Sequence, residues 1–181
     1  YAQKVIPLIP AGKKIYIGGH SKGGNLAIHA ACYLEEIYQK RISKVYDHDG
    51  PGFSYNIYGT EEYERIVNRV EKTIPRNSLI GILLNSSLSN AKIIKSNAIT
   101  GLYQHDPLRW IIDHNGNFVI VQDRSRMSKE IQIAVDELII SLSYEEKKAL
   151  IRTIGMWFDN ARIKTVKQIN KKFIPLLKQI R

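Results

Sequence analysis

The sequence has little cysteine and no long apolar run, and both absences narrow what the protein can be. Cys32 is the single cysteine in 181 residues, so it cannot form a disulfide within the chain. This favours a reducing compartment and predicts a cytoplasmic location. No apolar run approaches the roughly 18 to 20 residues that a membrane-spanning helix needs. The six prolines and twelve glycines are scattered, so the composition gives no indication of a disordered or fibrous chain.

An initiator methionine is also absent, because the sequence begins at Tyr1. We therefore expect a fragment or processed piece, in which an upstream targeting segment would not be visible. The apolar share of 44% is enough for the core of one domain, and the charged share of 24% suits a hydrated surface.

Acidic side chains are missing from residues 161–181, which carry much of the net charge of +10. The basic residues there are Arg162, Lys164, Lys167, Lys171, Lys172, Lys178 and Arg181. Such a run usually forms a solvated helix face, and weak contact with an anionic membrane surface is the alternative. The chain has no zinc-ligand spacing, no recognition-helix pattern and no aromatic-basic platform. We expect no nucleic-acid partner, no metal and no organic cofactor.

Short apolar strands alternate with helical patterns, which predicts an α/β fold with a mainly parallel sheet. The predicted strands cover residues 14–18, 43–48, 79–84 and 91–95. The predicted helices run from the glycine-rich turn to about residue 41, from a Thr60 cap to about residue 72, and from residue 128 onward. We therefore predict a core over residues 1–123 and a helical segment over residues 124–181 that packs on the same domain. Residues 108–112 and 118–121 flank an Asn-Gly hairpin pattern.

One glycine-rich turn has the form of a nucleophile elbow. Gly19-His20-Ser21-Lys22-Gly23 fits G-x-S-x-G and lies between a predicted strand and a predicted helix. A turn this tight strains the backbone of the serine, holds its side chain clear of the sheet and requires small residues two positions away on either side. The following helix N-terminus favours a developing oxyanion, with the Lys22 N–H as one donor. The alternative is an ordinary glycine-rich turn in which Ser21 caps the helix.

Residues 18–27 resemble the elbow of the lipase-like α/β-hydrolases, whose usual form is G-H-S-L-G-G-x-L-A. Lys22 within that run, the motif Asp47-His48-Asp49-Gly50-Pro51-Gly52-Phe53 and the motif Gln104-His105-Asp106-Pro107 are more similar to the Mbeg1-like bacterial family. The resemblance covers about residues 14–110. It implies a three-layer α/β-hydrolase fold without its N-terminal strands and a nucleophile at Ser21. In that fold a second oxyanion donor lies well upstream of the elbow, so we expect an incomplete oxyanion hole here.

A nucleophilic serine needs a histidine base, and in this fold the chain order is serine, acid, histidine. His20, His29 and His48 come too early for that order. His114 follows the last predicted parallel strand but belongs to a hairpin turn, where an exposed polar residue is usual. His105 follows the same strand and is the predicted base. The alternative is that His105 only caps its loop.

The acid is less clearly indicated. Its commonest place is the loop after the strand predicted at residues 79–84, which offers Asn85. Asp49 ends the strand before that one and is the favoured acid, although it could simply cap the turn that follows. Asp47 should point to the other side of its strand, and Asp106 adjoins the predicted base too closely.

Together these residues predict a serine hydrolase that cleaves an ester, thioester or amide of a small-molecule or lipid substrate. Ser21 would attack the carbonyl, His105 would transfer the proton and Asp49 would support His105. The alternative is a non-catalytic α/β-hydrolase-like binding module that retains the elbow for structural reasons.

Overall fold

The centre of the fold is a parallel sheet, seen in a computed structural model that describes residues 1–84, 86–99, 101–149 and 152. In this part of the chain the sheet has four strands in the order β1-β2-β3-β4. They are β1 (Ile15–His20), β2 (Ile42–His48), β3 (Val70–Pro75) and β4 (Lys92–Ile94). Helices between the strands make this an α/β architecture, as the sequence predicts.

The register of the strands brings their carboxyl ends to one edge of the sheet. His20 lies opposite His48, His48 lies opposite Thr73, and Pro75 lies opposite Ile94. Residues that directly follow the strands therefore meet at this edge, which is where open parallel sheets usually hold their functional groups.

The α-helices include α1 (Ala2–Val5), α2 (Lys22–Cys32), α3 (Glu36–Gln39), α4 (Glu61–Glu64), α5 (Gly101–Gln104) and α6 (Arg126–Ser141). Helix α2 packs on β1 and β2. Its buried face includes Ala27, Ile28 and Ala31, which join Ile42 and Val45 of β2 in the main core. The small side chains of α2 let the helix lie close to the sheet, and this fixes the position of its N-terminus at the sheet edge.

The helix predicted to run to about residue 41 is shorter in the structure, because α2 ends at Cys32 and α3 is a separate turn. The buried Gln39 accounts for the break. Its side-chain amide donates hydrogen bonds to the carbonyls of Ala31 (3.0 Å) and Cys32 (2.8 Å). These carbonyls at the end of α2 are thus satisfied without a further helical turn.

The prediction of the third strand is wrong. Residues 79–84 form turns and bends, whereas β3 is Val70–Pro75 and overlaps the region predicted to be helical. The helix predicted over residues 60–72 does begin at Thr60, whose hydroxyl accepts a hydrogen bond from the Tyr63 N–H, but α4 ends at Glu64.

The charged side chains of β3 make this strand resemble part of a helix in the sequence. Glu71 is half-buried on the strand and pairs with Lys44 (2.5 Å) and Lys92 (2.8 Å) on its two neighbouring strands. Lys72 is buried and pairs with Asp47 of β2 (2.5 Å). Both charges are tolerated inside a sheet because each has an opposite charge on an adjacent strand.

The predicted Asn-Gly hairpin is confirmed. Gly116 has φ +82°, and the Asp113 N–H donates to the Asn117 carbonyl (2.8 Å). Its two arms are joined by a bridge between Ile112 and Phe118 rather than by full strands. Further bridges, Ile94 with Ile120 and Ser96 with Trp110, attach the arms to the end of β4.

The chain divides into two compact units, Tyr1–Asp136 and Glu137–Arg181. The first unit contains the sheet. Helix α6 confirms the helical pattern predicted from residue 128. The basic run over residues 161–181 lies outside the described residues, as does Asn85. No helix in the described ranges has the length and apolar character required to cross a membrane.

Candidate active site

Ser21 occupies the turn between β1 and α2 and has the strained backbone expected of an elbow. Its φ is 58° and its ψ is −129°, a conformation that costs a non-glycine residue on the order of 1–3 kcal/mol. The surrounding main chain holds it there. The Ser21 N–H donates to the His48 carbonyl (2.9 Å), and its own carbonyl accepts from the N–H groups of Gly24 (3.0 Å) and Asn25 (3.3 Å).

Two glycines allow this turn to lie close to the sheet. A Cβ atom added to Gly19 would lie 2.5 Å from the carbonyl carbon of Gly23, and one added to Gly24 would clash with the Asp47 carboxylate. A Cβ atom at Gly23 would meet nothing within 4 Å. The prediction that both flanking positions must be small therefore holds for Gly19 and is wrong for Gly23.

Asp49 directly follows β2 and is completely buried at the same sheet edge. Its φ is 52°, and its N–H donates to the Thr73 carbonyl (2.7 Å). Oδ1 of the carboxylate accepts from the Ser78 hydroxyl (2.5 Å) and the Gly81 N–H (3.0 Å). Oδ2 accepts from Nδ1 of His105 at 2.7 Å. The carboxylate thus has three donors, which satisfy a buried charge that burial alone would make costly.

His105 follows α5 and is the histidine that contacts Asp49. A carboxylate only accepts hydrogen bonds, so Nδ1 of His105 donates in this contact, and Nε2 is left available to act as a base. The His105 side chain is 12% exposed. In the described part of the chain no hydrogen bond joins this ring to the Ser21 hydroxyl; such contacts are often long until a substrate binds.

The turn after Asp49 is capped by Asp47. Capping by Asp49 was the alternative to its role as the acid. The Gly50 N–H donates to Oδ1 of Asp47 (2.9 Å), and the Gly50 carbonyl accepts from Nζ of Lys72 (2.7 Å). Asp47 is fully buried, and its carboxylate contacts Gly50 and Lys72 but not His105. Residues two apart on a strand lie on the same side, so the prediction that alternation separates Asp47 from Asp49 is wrong; the positive φ of Asp49 instead marks the point at which the chain leaves the strand geometry. Asp47 holds the turn in place, while the neighbouring carboxylate of Asp49 is left to bind His105.

Lys22 is the first residue of α2, where main-chain N–H groups lack acceptors within the helix. Its ammonium group donates to Oδ1 of Asn25 (2.6 Å). The amide of Asn25 in turn donates to the carbonyls of Pro51 (3.1 Å) and Gly52 (2.8 Å). Asn25 therefore links the elbow to the turn after Asp49, a role that sequence reasoning missed.

The other predicted candidates lie elsewhere. His114 is exposed in the hairpin. Asp106 accepts from the Leu108 N–H (3.0 Å) and caps a short turn. Cys32 is no alternative nucleophile, because burial raises the pKa of its thiol to about 12.

The ring of His105 packs against that of His20, which belongs to a cluster of aromatic rings. The His20 ring centroid lies 4.4 Å from that of His105 and 5.8 Å from that of Trp110. His48 packs edge-on against Trp110 (6.0 Å) and Phe118 (5.8 Å). Burial, followed by the charge of His105, lowers the pKa of His20, and burial lowers the pKa of His48. Both rings are therefore mainly neutral near pH 7.

Ser78 was missed because β3 was misplaced in the prediction. A strand over Val70–Pro75 would have put Ser78 in the loop at the sheet edge, next to the residues that follow β1 and β2. No cluster of three or more histidine, cysteine or acidic side chains that could hold a metal is found within the described residues.

A small cavity of about 70 Å³ lies on the face of the sheet that carries α2. Its lining includes Tyr58, Tyr63 and Lys72 and does not include the residues of the elbow. Pockets for small ligands are usually several hundred Å³ in volume. This cavity is therefore smaller than a typical ligand pocket and does not indicate a substrate.

A model of the Mbeg1-like family matches residues 1–156. No curated protein and no solved structure matches the chain. The matched range includes Ser21, Asp49 and His105. It also extends beyond residues 14–110, whose motifs resemble this family.

Proposed function

Because this chain belongs to the Mbeg1-like family and presents a strained serine at the same sheet edge as an Asp–His pair, we propose that it is a serine hydrolase with the α/β-hydrolase fold. Its substrate would be an ester, thioester or amide of a small molecule or lipid. The observation that carries the proposal is the 2.7 Å hydrogen bond between Oδ2 of the buried Asp49 and Nδ1 of His105. This contact fixes the tautomer that leaves Nε2 free to take a proton.

The proposed reaction passes through an acyl-enzyme. Oγ of Ser21 attacks the carbonyl carbon of the substrate while Nε2 of His105 accepts the hydroxyl proton. Asp49 stabilises the imidazolium, and the Lys22 N–H donates to the oxyanion. The leaving group departs with the proton from His105. A water molecule, deprotonated by His105, then attacks the acyl carbon. The bond to Oγ of Ser21 breaks, His105 returns the proton to Oγ, and the acyl group leaves as a carboxylic acid.

A non-catalytic binding module remains the second hypothesis, and one observation favours it. The Ser21 hydroxyl is not hydrogen-bonded to His105 among the described residues. The strained backbone of Ser21 and the fully hydrogen-bonded Asp49 favour catalysis instead, since a binding module has no need for a buried carboxylate that orients a histidine.

The test is covalent labelling of the intact protein with a fluorophosphonate probe, followed by mass measurement of the adduct. We expect one adduct on the wild type, none on Ser21→Ala, and slow formation on His105→Ala. Ser54→Ala and His114→Ala alter exposed residues and should label at the wild-type rate. No adduct on a folded wild-type protein would contradict the enzyme hypothesis and favour the binding module.

Three further predictions from the sequence belong to the same proposal. We propose that residues 1–123 form the catalytic core, that the protein is cytoplasmic, and that residues 161–181 contact anionic membrane surfaces weakly. Cell fractionation tests the location.

Sedimentation with anionic and neutral vesicles tests the membrane contact. We expect binding to anionic vesicles that falls with added salt and with removal of residues 161–181. Binding that salt does not change would contradict the contact.

A further inference from the structure

His20 contacts the main chain of the proposed base. Its Nε2 lies 2.7 Å from the carbonyl oxygen of His105. A carbonyl oxygen only accepts hydrogen bonds, so Nε2 of His20 carries a proton and donates it to this contact. His20 immediately precedes Ser21, and 85 positions along the chain separate it from His105. One side chain thus connects the elbow directly to the loop that carries the base.

The loop of His105 is also held from its other side. Nε1 of Trp110 donates to the carbonyl of Gln104 (2.7 Å), the residue before His105. The Gln104 amide is buried and donates to the Ala98 carbonyl (2.7 Å), and its oxygen accepts from the Asn77 N–H (2.8 Å). Two consecutive carbonyls, those of Gln104 and His105, are therefore bound by ring N–H groups that themselves lie in contact, with centroids 5.8 Å apart.

We propose that His20 is a positioning residue, whose ring N–H holds the main chain of His105 and thereby keeps the His105 ring in reach of Ser21. This inference rests on the proposed function, because it assigns His20 a part in the same reaction. Asp49 fixes the ring of His105 through Nδ1, and His20 fixes its backbone. The two contacts together leave the ring little freedom to swing away from the serine.

The neutral state of His20 matters because His105 becomes a cation during the proposed reaction. Two cationic rings with centroids 4.4 Å apart would repel each other strongly. Burial and the charge of His105 lower the pKa of His20, whereas the hydrogen bond to the His105 carbonyl and the carboxylates of Asp49 and Asp106 act in the opposite direction without reversing the shift. Trp110, the other ring against His20, is uncharged. His20 can therefore support His105 without opposing its protonation.

The experiment compares His20→Gln with His20→Leu. The side-chain amide of glutamine can place an N–H close to the position of Nε2, whereas leucine fills a similar volume without a donor. We expect His20→Leu to lower the second-order rate of fluorophosphonate labelling about 10- to 100-fold, since small misplacements of a catalytic group cost rates of this size. His20→Gln should recover most of the rate. His114→Leu is the matched control on an exposed histidine and should label at the wild-type rate.

A second measurement decides the inference even if the wild type is not labelled. Nitrogen-15 NMR of the histidine rings reports the tautomer of His105 in each variant, independently of activity. We expect a single Nδ1–H tautomer in the wild type and in His20→Gln, and an averaged signal in His20→Leu. An unchanged His105 signal in His20→Leu would overturn the positioning role, as would equal loss of labelling in both variants. An unlabelled wild type with the expected NMR signals would overturn the proposed function alone.

The variants must be folded for these comparisons. Thermal unfolding monitored by circular dichroism identifies any variant that is not. If His20→Leu fails to fold, His20→Phe replaces it, because phenylalanine keeps the ring contacts with His105 and Trp110 while lacking the donor. Wild-type labelling and an unchanged NMR signal in His20→Phe would likewise overturn the inference.

Discussion

Asp47 and Asp49 are two residues apart, equally buried, and have different partners. Asp47 lies within β2 and pairs with the ammonium group of Lys72 at 2.5 Å. Asp49 lies just beyond the strand and is bound by the neutral donors of Ser78 and Gly81 and by the ring of His105. The same side chain at the same depth thus has a lysine ammonium group as its partner in one case and a histidine ring in the other.

This difference separates a structural carboxylate from one suited to chemistry. The charge of Asp47 is already balanced by Lys72, and both members of the pair hold Gly50. Burial raises the pKa of Asp47, and the attraction of Lys72 opposes that rise. The neutral donors of Asp49 stabilise its charge without cancelling it. Its charge therefore remains available to stabilise a positive His105.

The largest expected effect comes from removing the charge of Asp49. Asp49→Asn should lower the rate of fluorophosphonate labelling on the order of 10³- to 10⁴-fold, the size seen when a triad aspartate is replaced by asparagine in a serine protease. The cause is the loss of the contact that selects the Nδ1–H tautomer of His105. Asp47→Asn is the matched control and should keep the rate per folded molecule within a few-fold of the wild type. Equal losses in the two variants would remove the distinction.

The second prediction concerns stability. Lys72→Met leaves the charge of Asp47 buried and unpaired, so the free energy of unfolding should fall by about 3–5 kcal/mol. The double variant Asp47→Leu/Lys72→Met should be more stable than Lys72→Met alone, because it removes both charges. Urea unfolding measures both values. A double variant less stable than Lys72→Met would show that the unpaired Asp47 carboxylate costs less than the hydrogen bond with Gly50 that its replacement removes.

The third prediction uses two glycines that contact these carboxylates. A Cβ atom at Gly24 would clash with Oδ1 of Asp47, and one at Gly81 would clash with Oδ1 of Asp49. Gly24→Ala should lower the free energy of unfolding by about 1–3 kcal/mol, as overpacking does, with little change in labelling per folded molecule. Gly81→Ala should mainly slow labelling, because it displaces the carboxylate that holds His105.

Gly23→Ala is the control for these two glycines. Its added Cβ atom meets nothing within 4 Å, and alanine is the better helix former by about 1 kcal/mol. This variant should be as stable as the wild type or slightly more so. A loss of stability in Gly23→Ala would mean that the elbow responds to any substitution and not to the carboxylate contacts.

The smallest effect is a dependence of stability on pH from the histidines near the site. Burial lowers the pKa values of His20 and His48 below the ordinary 6.5. The unfolded chain therefore binds protons near pH 6.5 that the folded chain does not bind. The free energy of unfolding should consequently fall as the pH decreases below about 6.5. Urea unfolding across this pH range should show a shallower fall in His48→Phe than in the wild type. A fall of the same slope in His48→Phe would contradict the contribution of His48.

The residues of the candidate site could be predicted because they depend on local patterns. The elbow around Ser21 has a fixed spacing between a strand and a helix, and the order of nucleophile, acid and base favours His105 as the base. For the acid the sequence favours Asp49 and leaves Asn85 as an alternative. The hairpin follows from Asn-Gly for the same reason. None of these predictions required knowledge of which strands lie side by side.

The position of β3 could not be predicted, because its pattern depends on neighbours distant in the sequence. Glu71 and Lys72 interrupt the apolar alternation of a strand, and only their partners on β2 and β4 make them tolerable. The apolar run over residues 79–84 reads as a strand in isolation. In the structure these residues instead form a turn, in which the Gly81 N–H donates a hydrogen bond to Asp49. Ser78 and His20 were missed because their roles are defined by contacts across the sheet edge.

The contact between His20 and His105 also bears on how the protein is made. The elbow and the proposed base are joined by contacts that span 85 and 56 positions of the chain, whereas the elbow itself is local. A chain that emerges from the ribosome amino end first presents Ser21 well before His105 exists to activate it. The nascent protein would thus carry an unreactive serine until His105 had been made, and the proposed reactivity would appear only when β4 and the loop beyond it had joined the sheet.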